Sequence, residues 1–243
     1  MGDLMAASMR ARKGWAAAAL TLVVAAGGYA VNQLDIDQGS QPAAAAPPAL
    51  ETSVMLQASL QMLPVVEPVD VPGYDRSCSP GAGCSFGPAW SDDTSAPLAR
   101  NGCDTRNDIL RTSLTNVTLR PGTNDCVVES GLLLDPYTGE QVEFSRSRGS
   151  EVHIDHLVPL AYAWRHGAAG WPQEKRAAFA NDPANLRPTQ GSVNQAKGDS
   201  GPGEWMPVVD QCGYATAFAT VAVDYGLSIT AGDRDVLASA CPV

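Results

Sequence analysis

Histidine is scarce in this chain, and two of its three copies fall close together in the stretch EVHIDHLVP, Glu151 to Pro159. If that stretch is a strand, its side chains alternate, so His153 and Asp155 share one face while Ile154 and His156 share the other. A histidine at the end of such a strand, beside a carboxylate aimed elsewhere, can stand near a metal ion without ligating it. Taken alone, a DH pair is more often a buried histidine next to a turn residue. The residues that follow change that balance. The segment FANDPANLRPTQGSVNQAKGD, Phe179 to Asp199, carries Asn181, Asp182, Asn185 and Asn194 ahead of Lys197. Asp155 and an Asn carbonyl are hard oxygen donors, suited to magnesium or manganese and poorly suited to zinc. A neutral imidazole with a pKa of about 6.5 can take a proton from water as a general base. A divalent metal would stabilise a phosphorane-like transition state and the leaving oxygen. Lys197, one helical turn past Asn194, would reach the phosphate from the same face. These are the parts of a metal-dependent phosphodiester hydrolysis.

The elements that must hold these parts follow from periodicity and punctuation. A helix is predicted over 105–114, with Ile109, Leu110 and Leu114 at helical spacing and Thr105 at its start. Segments 127–134 and 141–144 flank DPYTGE, whose Gly139 supplies turn chemistry, so they form a hairpin. A strand over 152–158 leads into a short helix at 159–166, and a second helix at 172–179 carries Pro172 in its first turn. Residues 185–189 are extended, 192–197 form a short helix stopped by Gly198, and two apolar helices at 209–225 and 231–240 cover the core. The sequence contains no internal repeat, Gly-rich phosphate loop or GxSxG elbow.

Asp155-His156, then Asn185-Leu186, then Asn194 with Lys197 three residues on, resembles the strand, strand and helix of the HNH endonucleases, the ββα-metal group. More closely, the run CDTRNDIL, DPYTG, IDHLVPLAYAW, FANDPANL, NQAKGD and EWMP is similar to secreted bacterial HNH-family proteins. These share their nuclease domain with the C-terminal part of modification-dependent restriction enzymes. The motifs span about Gly73 to Cys241, in one order. The resemblance implies that His156 is the general base, Asp155 the first metal ligand, and Asn185 the central Asn that orients the loop and the histidine. It implies that Asn194 is the final ligand, standing where many members have histidine, and that Lys197 faces the scissile phosphate. Arg106 is a second phosphate-contact candidate, its helix pinned near the site by Cys103; pairing with Asp104 or Asp108 is its alternative. The implied fold is α+β, a ββα-metal (HNH) core with additional strands and helices, stapled by disulfides. The implied cofactor is a divalent metal, Mg2+ or Mn2+, and the implied partner is nucleic acid, DNA foremost, with no obligate protein partner. Asp182 is expected to support the loop, His153 and His166 to be structural, and Trp164, Trp171 and Trp205 to be core.

Arg10, Arg12 and Lys13 precede an uncharged apolar run from Gly14 to Val31, which reads as an export signal at 1–31, either cleaved near Gly28 and Ala30 or kept as a membrane anchor. Six cysteines without a CxxC pair fit disulfides in an exported chain better than zinc thiolates. Six allow 15 pairings; the expectation adopted joins neighbours, Cys78 to Cys84, Cys103 to Cys126 and Cys212 to Cys241. Residues 32–72, rich in Ala and Pro and without a basic residue, read as a linker, interrupted at most by a short helix near 52–62. The nuclease domain is then 73–243. The net charge of −10 divides into +2 up to Val31, −6 from Asn32 to Asp75 and −6 beyond. That composition excludes a disordered polyelectrolyte, a multi-span membrane protein and a basic nucleic-acid coating protein. With Arg106, Arg187 and Lys197 as a local positive strip, binding should be weak, metal-requiring and salt-sensitive. No separate DNA-reading module is evident, so little sequence preference is expected. Two rival readings stay open: a secreted zinc hydrolase acting on cell-wall peptides, and a non-catalytic extracellular binding module.

Overall fold

The computed structural model describes residues 48–148 and 151–241. The expected signal or anchor at 1–31 and the first part of the expected linker lie outside them. Among the described residues, no helix is long and apolar enough to cross a membrane.

Seven helices and five strands make up the described body, which is α+β as expected. Helix α1 (Pro48–Met62) is followed by a long irregular segment to α2 (Thr105–Ser113). Next come β1 (Thr115–Leu119), β2 (Val128–Leu134) and β3 (Gln141–Ser145), an antiparallel three-stranded sheet in chain order. Strand β4 (Val152–His156) pairs antiparallel with β5 (Leu186–Gln190). Between them lie α3 (Leu160–Arg165) and α4 (Gln173–Ala180), and α5 (Gly191–Lys197) follows β5 directly. Helices α6 (Gln211–Tyr225) and α7 (Ala231–Ser239) close the chain.

Two apolar clusters organise these elements. The larger joins α1, α3, α4, α6 and α7 around Leu56, Tyr162, Phe179, Phe218 and Leu237; the smaller joins α2, the first sheet and β4–β5 through Ile109, Leu110, Val128, Phe144 and Ile154. The β4–β5 pair lies against the smaller cluster with Val152 and Ile154 and turns His153 and Asp155 toward α5. The alternation expected from the sequence is therefore observed. All three expected disulfides are present, Cys78–Cys84, Cys103–Cys126 and Cys212–Cys241.

Two expectations need correction. The linker assigned to 32–72 is folded from Pro48 onward. Leu56, Leu60 and Leu63 are buried in the larger cluster, Val65 bridges Ile229, and Trp164 Nε1 donates to the Val71 carbonyl at 2.8 Å. The prolines at 64, 68 and 72 deny this stretch regular structure but not packing. The second is β1, which the sequence did not reveal. Its TNVTL is an edge strand with only Val117 and Leu119 partly buried, its register with β2 is irregular, and Asn116 has a positive φ. The hydrophobic alternation that marks a half-buried strand is weak there.

Candidate active site

His156 ends β4, and its Nε2 lies 2.9 Å from the Ala180 carbonyl oxygen at the end of α4. A carbonyl only accepts, so in the neutral ring Nε2 carries the proton and Nδ1 holds the lone pair. Trp90 stacks on the ring, with centroids 5.9 Å apart and planes 11° from parallel. Burial first, and then the positive charge of Arg76, lowers the His156 pKa from 6.5 to about 3, so the imidazole is neutral near pH 7.

Asn185, fully buried, clamps the chain just past that histidine. Its Oδ1 accepts from the Val158 N–H at 2.8 Å, its Nδ2 donates to the Val158 carbonyl at 3.3 Å, and its own carbonyl accepts from the Leu157 N–H at 2.8 Å. Asp182 starts the turn at Pro183–Asn185 by accepting from the Ala184 N–H, and its other oxygen accepts from Tyr225 OH at 2.7 Å. It supports the loop.

Asp155 is 4% exposed. One carboxylate oxygen takes Lys197 Nζ at 3.0 Å and the other takes Tyr137 OH at 2.7 Å. Lys197 Nζ also donates to the His156 carbonyl at 2.8 Å. Burial pushes the Asp155 carboxyl up and the Lys197 ammonium down, and their mutual contact opposes both shifts. Tyr137 is pushed well above its ordinary value, chiefly by burial, and stays a neutral donor. Gly198, with φ of 57°, ends α5 directly after Lys197.

Asn194 donates from Nδ2 toward His153 Nδ1 at 3.2 Å and lines the same cleft as Asp155 and His156. Gly191 is required beside it, because a Cβ there would stand 2.9 Å from His153 Nε2. The cleft, of about 270 Å3, is also lined by Tyr74, Arg76 and Trp90.

The structure thus brings His156, Asn185, Asp155, Asn194 and Lys197 onto one strand–strand–helix unit. It departs from expectation at the cations. Lys197 is 1% exposed and held between Asp155 and a backbone carbonyl, so its Nζ does not face a phosphate. Arg106 donates to the Val152 carbonyl at 3.1 Å and does not line the cleft, and Arg187 donates to the carbonyls of Pro183, Ala184 and Leu186. The positive strip expected of these three is not formed. CDTRN instead secures α2, with Asp104 as its N-cap and Asn107 Oδ1 accepting from the Val128 N–H and Arg146.

Several residues of the site carry no local signal of a role there. Tyr137 belongs to a turn motif, and the DPYTG turn delivers its hydroxyl to Asp155, while Asp135 ties that turn to β5 through Thr189 Oγ1 and the Gln190 N–H. Tyr74, Arg76 and Trp90 carry no spacing signal that links them to the DH pair, because they reach the site only through folding. The structural roles expected elsewhere are observed: Trp164, Trp171 and Trp205 belong to or pack on the larger cluster, and His166 caps α3 against Ser228.

A metal can be tested against the donors at hand. Among the described residues, no group of three or more His, Cys, Asp or Glu side chains could hold one, so the set a zinc hydrolase needs is not assembled there. Magnesium asks less, because it keeps most of its waters and takes one or two protein oxygens beside substrate phosphate. Asp155 and Asn194 suit that sparse arrangement, since a carboxylate oxygen retains a lone pair beside each hydrogen bond.

Residues 104–237 match the family model described as GmrSD restriction endonucleases, C-terminal domain. The chain belongs to this family. The matched GmrSD region runs from the N-cap of α2 into α7 and includes β4, β5 and α5, while α1 and the segment bearing Tyr74, Arg76 and Trp90 precede it. Over 141 residues the chain is 39% identical to an uncharacterized secreted protein of Arthroderma benhamiae, covering 56% of this chain and 66% of that relative, just under two thirds of its length. That relative is fungal, so a restriction of the resemblance to bacterial proteins is not supported. No solved structure matches this GmrSD-family chain.

Proposed function

We propose that this protein is an exported, metal-dependent endonuclease of the HNH type that hydrolyses phosphodiester bonds in nucleic acid, DNA foremost, with little sequence preference. One observation carries the reading. The family-matched region contains two antiparallel strands and a following helix, with His156 at the end of β4, Asn185 in the turn that leads into β5 and Asn194 on α5, and in this reading β4, β5 and α5 are the ββα-metal core. The family's description, naming restriction endonucleases, supports the reaction class. The secreted relative and the three disulfides, which persist in oxidising compartments, support export.

In this reading His156 is the general base. Its ring is neutral, its Nε2–H is committed to Ala180, and Nδ1 is left to accept a proton from the attacking water. Asn185 positions the base by holding Leu157 and Val158 directly behind it. Asp155 and Asn194 would hold a magnesium or manganese ion, which when bound supplies charge stabilisation at the phosphate and the leaving oxygen. Lys197 positions Asp155 and fixes the His156 carbonyl.

Nicking of supercoiled plasmid, with a matched RNA substrate alongside, tests this. Cleavage should require magnesium or manganese, stop with chelator, and fall by about 10²–10⁴-fold in His156→Ala. Undiminished cleavage by His156→Ala would overturn the mechanism, and chelator-resistant cleavage the metal.

A further inference from the structure

A nuclease cleft needs a cation for the phosphate, and the two phosphate contacts expected from the sequence are committed elsewhere. Lys197 is enclosed with Asp155, and Arg106 is bound to a carbonyl outside the cleft. Arg76 lines the same cleft as His156, is exposed, and takes part in none of the ion pairs among the described residues. The two acids close to it are already occupied. Asp75 accepts from the Ser77 and Gly83 N–H groups, both at 2.9 Å, and Asp199, on the cleft wall, is paired with Arg165 at 2.8 Å.

The loop around Arg76 is built to be rigid. Cys78 is joined to Cys84, the Cys84 N–H donates to the Ser77 carbonyl at 2.9 Å, and the Ser85 N–H donates to the Asp75 carbonyl at 2.8 Å. Arg76 is thus framed by two residues whose backbones are fixed. The loop is in turn anchored to the body. Phe86 is buried between Phe179 and Trp164, and Gln173 and Arg176 of α4 donate to the carbonyls of Cys84 and Ser85. A guanidinium presented this way loses less freedom on binding an oxyanion, and its planar fork matches phosphate geometry.

We propose that the disulfide-closed loop 75–85 is a phosphate-binding part of the active site, with Arg76 as the residue that contacts a phosphodiester of the substrate. The site is then assembled from two parts, the family-matched unit that carries the base and a preceding loop that carries the cation. The proposal rests on the nuclease reading above, and its test separates the two.

Kinetics on fluorescently labelled DNA and RNA duplexes are compared for the full chain, Arg76→Gln, Arg76→Lys, and Arg100→Gln as a surface control. Binding to the same duplexes is measured in a His156→Ala background. Arg76→Gln should raise KM and Kd by about tenfold, lower the slope of log Kd against log salt by about one, and leave the thermal midpoint unchanged. Arg76→Lys should recover part of the loss, and Arg100→Gln should match the parent. Opening the loop with Cys78→Ser together with Cys84→Ser should weaken binding in the same direction. If Arg76→Gln binds and cleaves like the parent while His156→Ala is inactive, the loop has no such role and the nuclease reading stands. If the parent neither binds nor cleaves the duplexes with magnesium or manganese present, the nuclease reading falls and takes this proposal with it.

Discussion

At the residue scale, the instructive pair is Asp155 and Lys197, where type and spacing suggested a metal ligand and a phosphate contact. Burial changes what Lys197 does, while Asp155 keeps the lone pairs that a metal would need. An ammonium at 1% exposure beside a carboxylate at 4% exposure is a structural ion pair, and removing one partner leaves the other charge buried and uncompensated. Lys197→Met should therefore destabilise the fold by about 3–5 kcal/mol, measured by urea unfolding at pH 7. A direct phosphate contact would instead raise KM with stability unchanged, and that result would restore the role read from the sequence. His156 was legible by type and position. Its tautomer was not, because the Ala180 carbonyl that decides it comes from a helix contributed by another part of the chain.

At the element scale, α1 is where composition misleads. An Ala- and Pro-rich acidic stretch reads as a tether, yet Leu56 is fully buried against α6, and the Thr52 carbonyl accepts from Thr216 Oγ1 at 3.4 Å. Leu56→Ala should cost about 2–5 kcal/mol by chemical denaturation, whereas the exposed Met55→Ala should change stability by less than about 0.5 kcal/mol. Equal, negligible effects would mean that α1 does not belong to the folded body. Strong periodic elements such as α2, the β2–β3 hairpin, β4 and α6 were readable to within a few residues because their own residues form the apolar faces that bury them. Strand β1 was not, because an edge strand draws its pairing from its neighbour and asks little of its own side chains.

At the scale of the whole molecule, the pH dependence of folding sums the buried imidazoles. Burial lowers the pKa of His156 to about 3 and also lowers that of His166. His156 stays neutral in the folded protein below pH 6.5, where the unfolded chain takes up protons, and the lowered His166 acts in the same direction. Stability is therefore intact above about pH 6.5 and declines as pH falls below it, with His156 contributing a slope approaching about 1 kcal/mol per pH unit. Asp155, raised by burial, works in the opposite direction, so the window from pH 6.5 to about 5 is compared between the parent and a His156 variant. Urea midpoints across that window should fall with pH, with a shallower fall in His156→Gln; a flat profile would contradict the buried neutral ring. The net charge of −10 adds a global condition. An acidic body repels a polyanion, so the cleft must supply its own attraction, and among the described residues that line it Arg76 is the cation left without an acidic partner.

The sequence by itself determined the chemistry available and its local scaffolding. The DH pair, Asn185, Asn194, the strand–strand–helix order and the disulfide chemistry all rest on residues near one another along the chain or on periodicities that a single segment carries. Tertiary structure decided which groups are exposed and which are spent. It buried Lys197 against Asp155, turned Arg106 onto a carbonyl, brought Tyr137 from a hairpin turn to the Asp155 carboxylate, stacked Trp90 on the histidine and set Arg76 in the same cleft. The reason is physical: a charge's role depends on its solvation and its partners, and those partners come from segments far apart in sequence that meet only when the core closes.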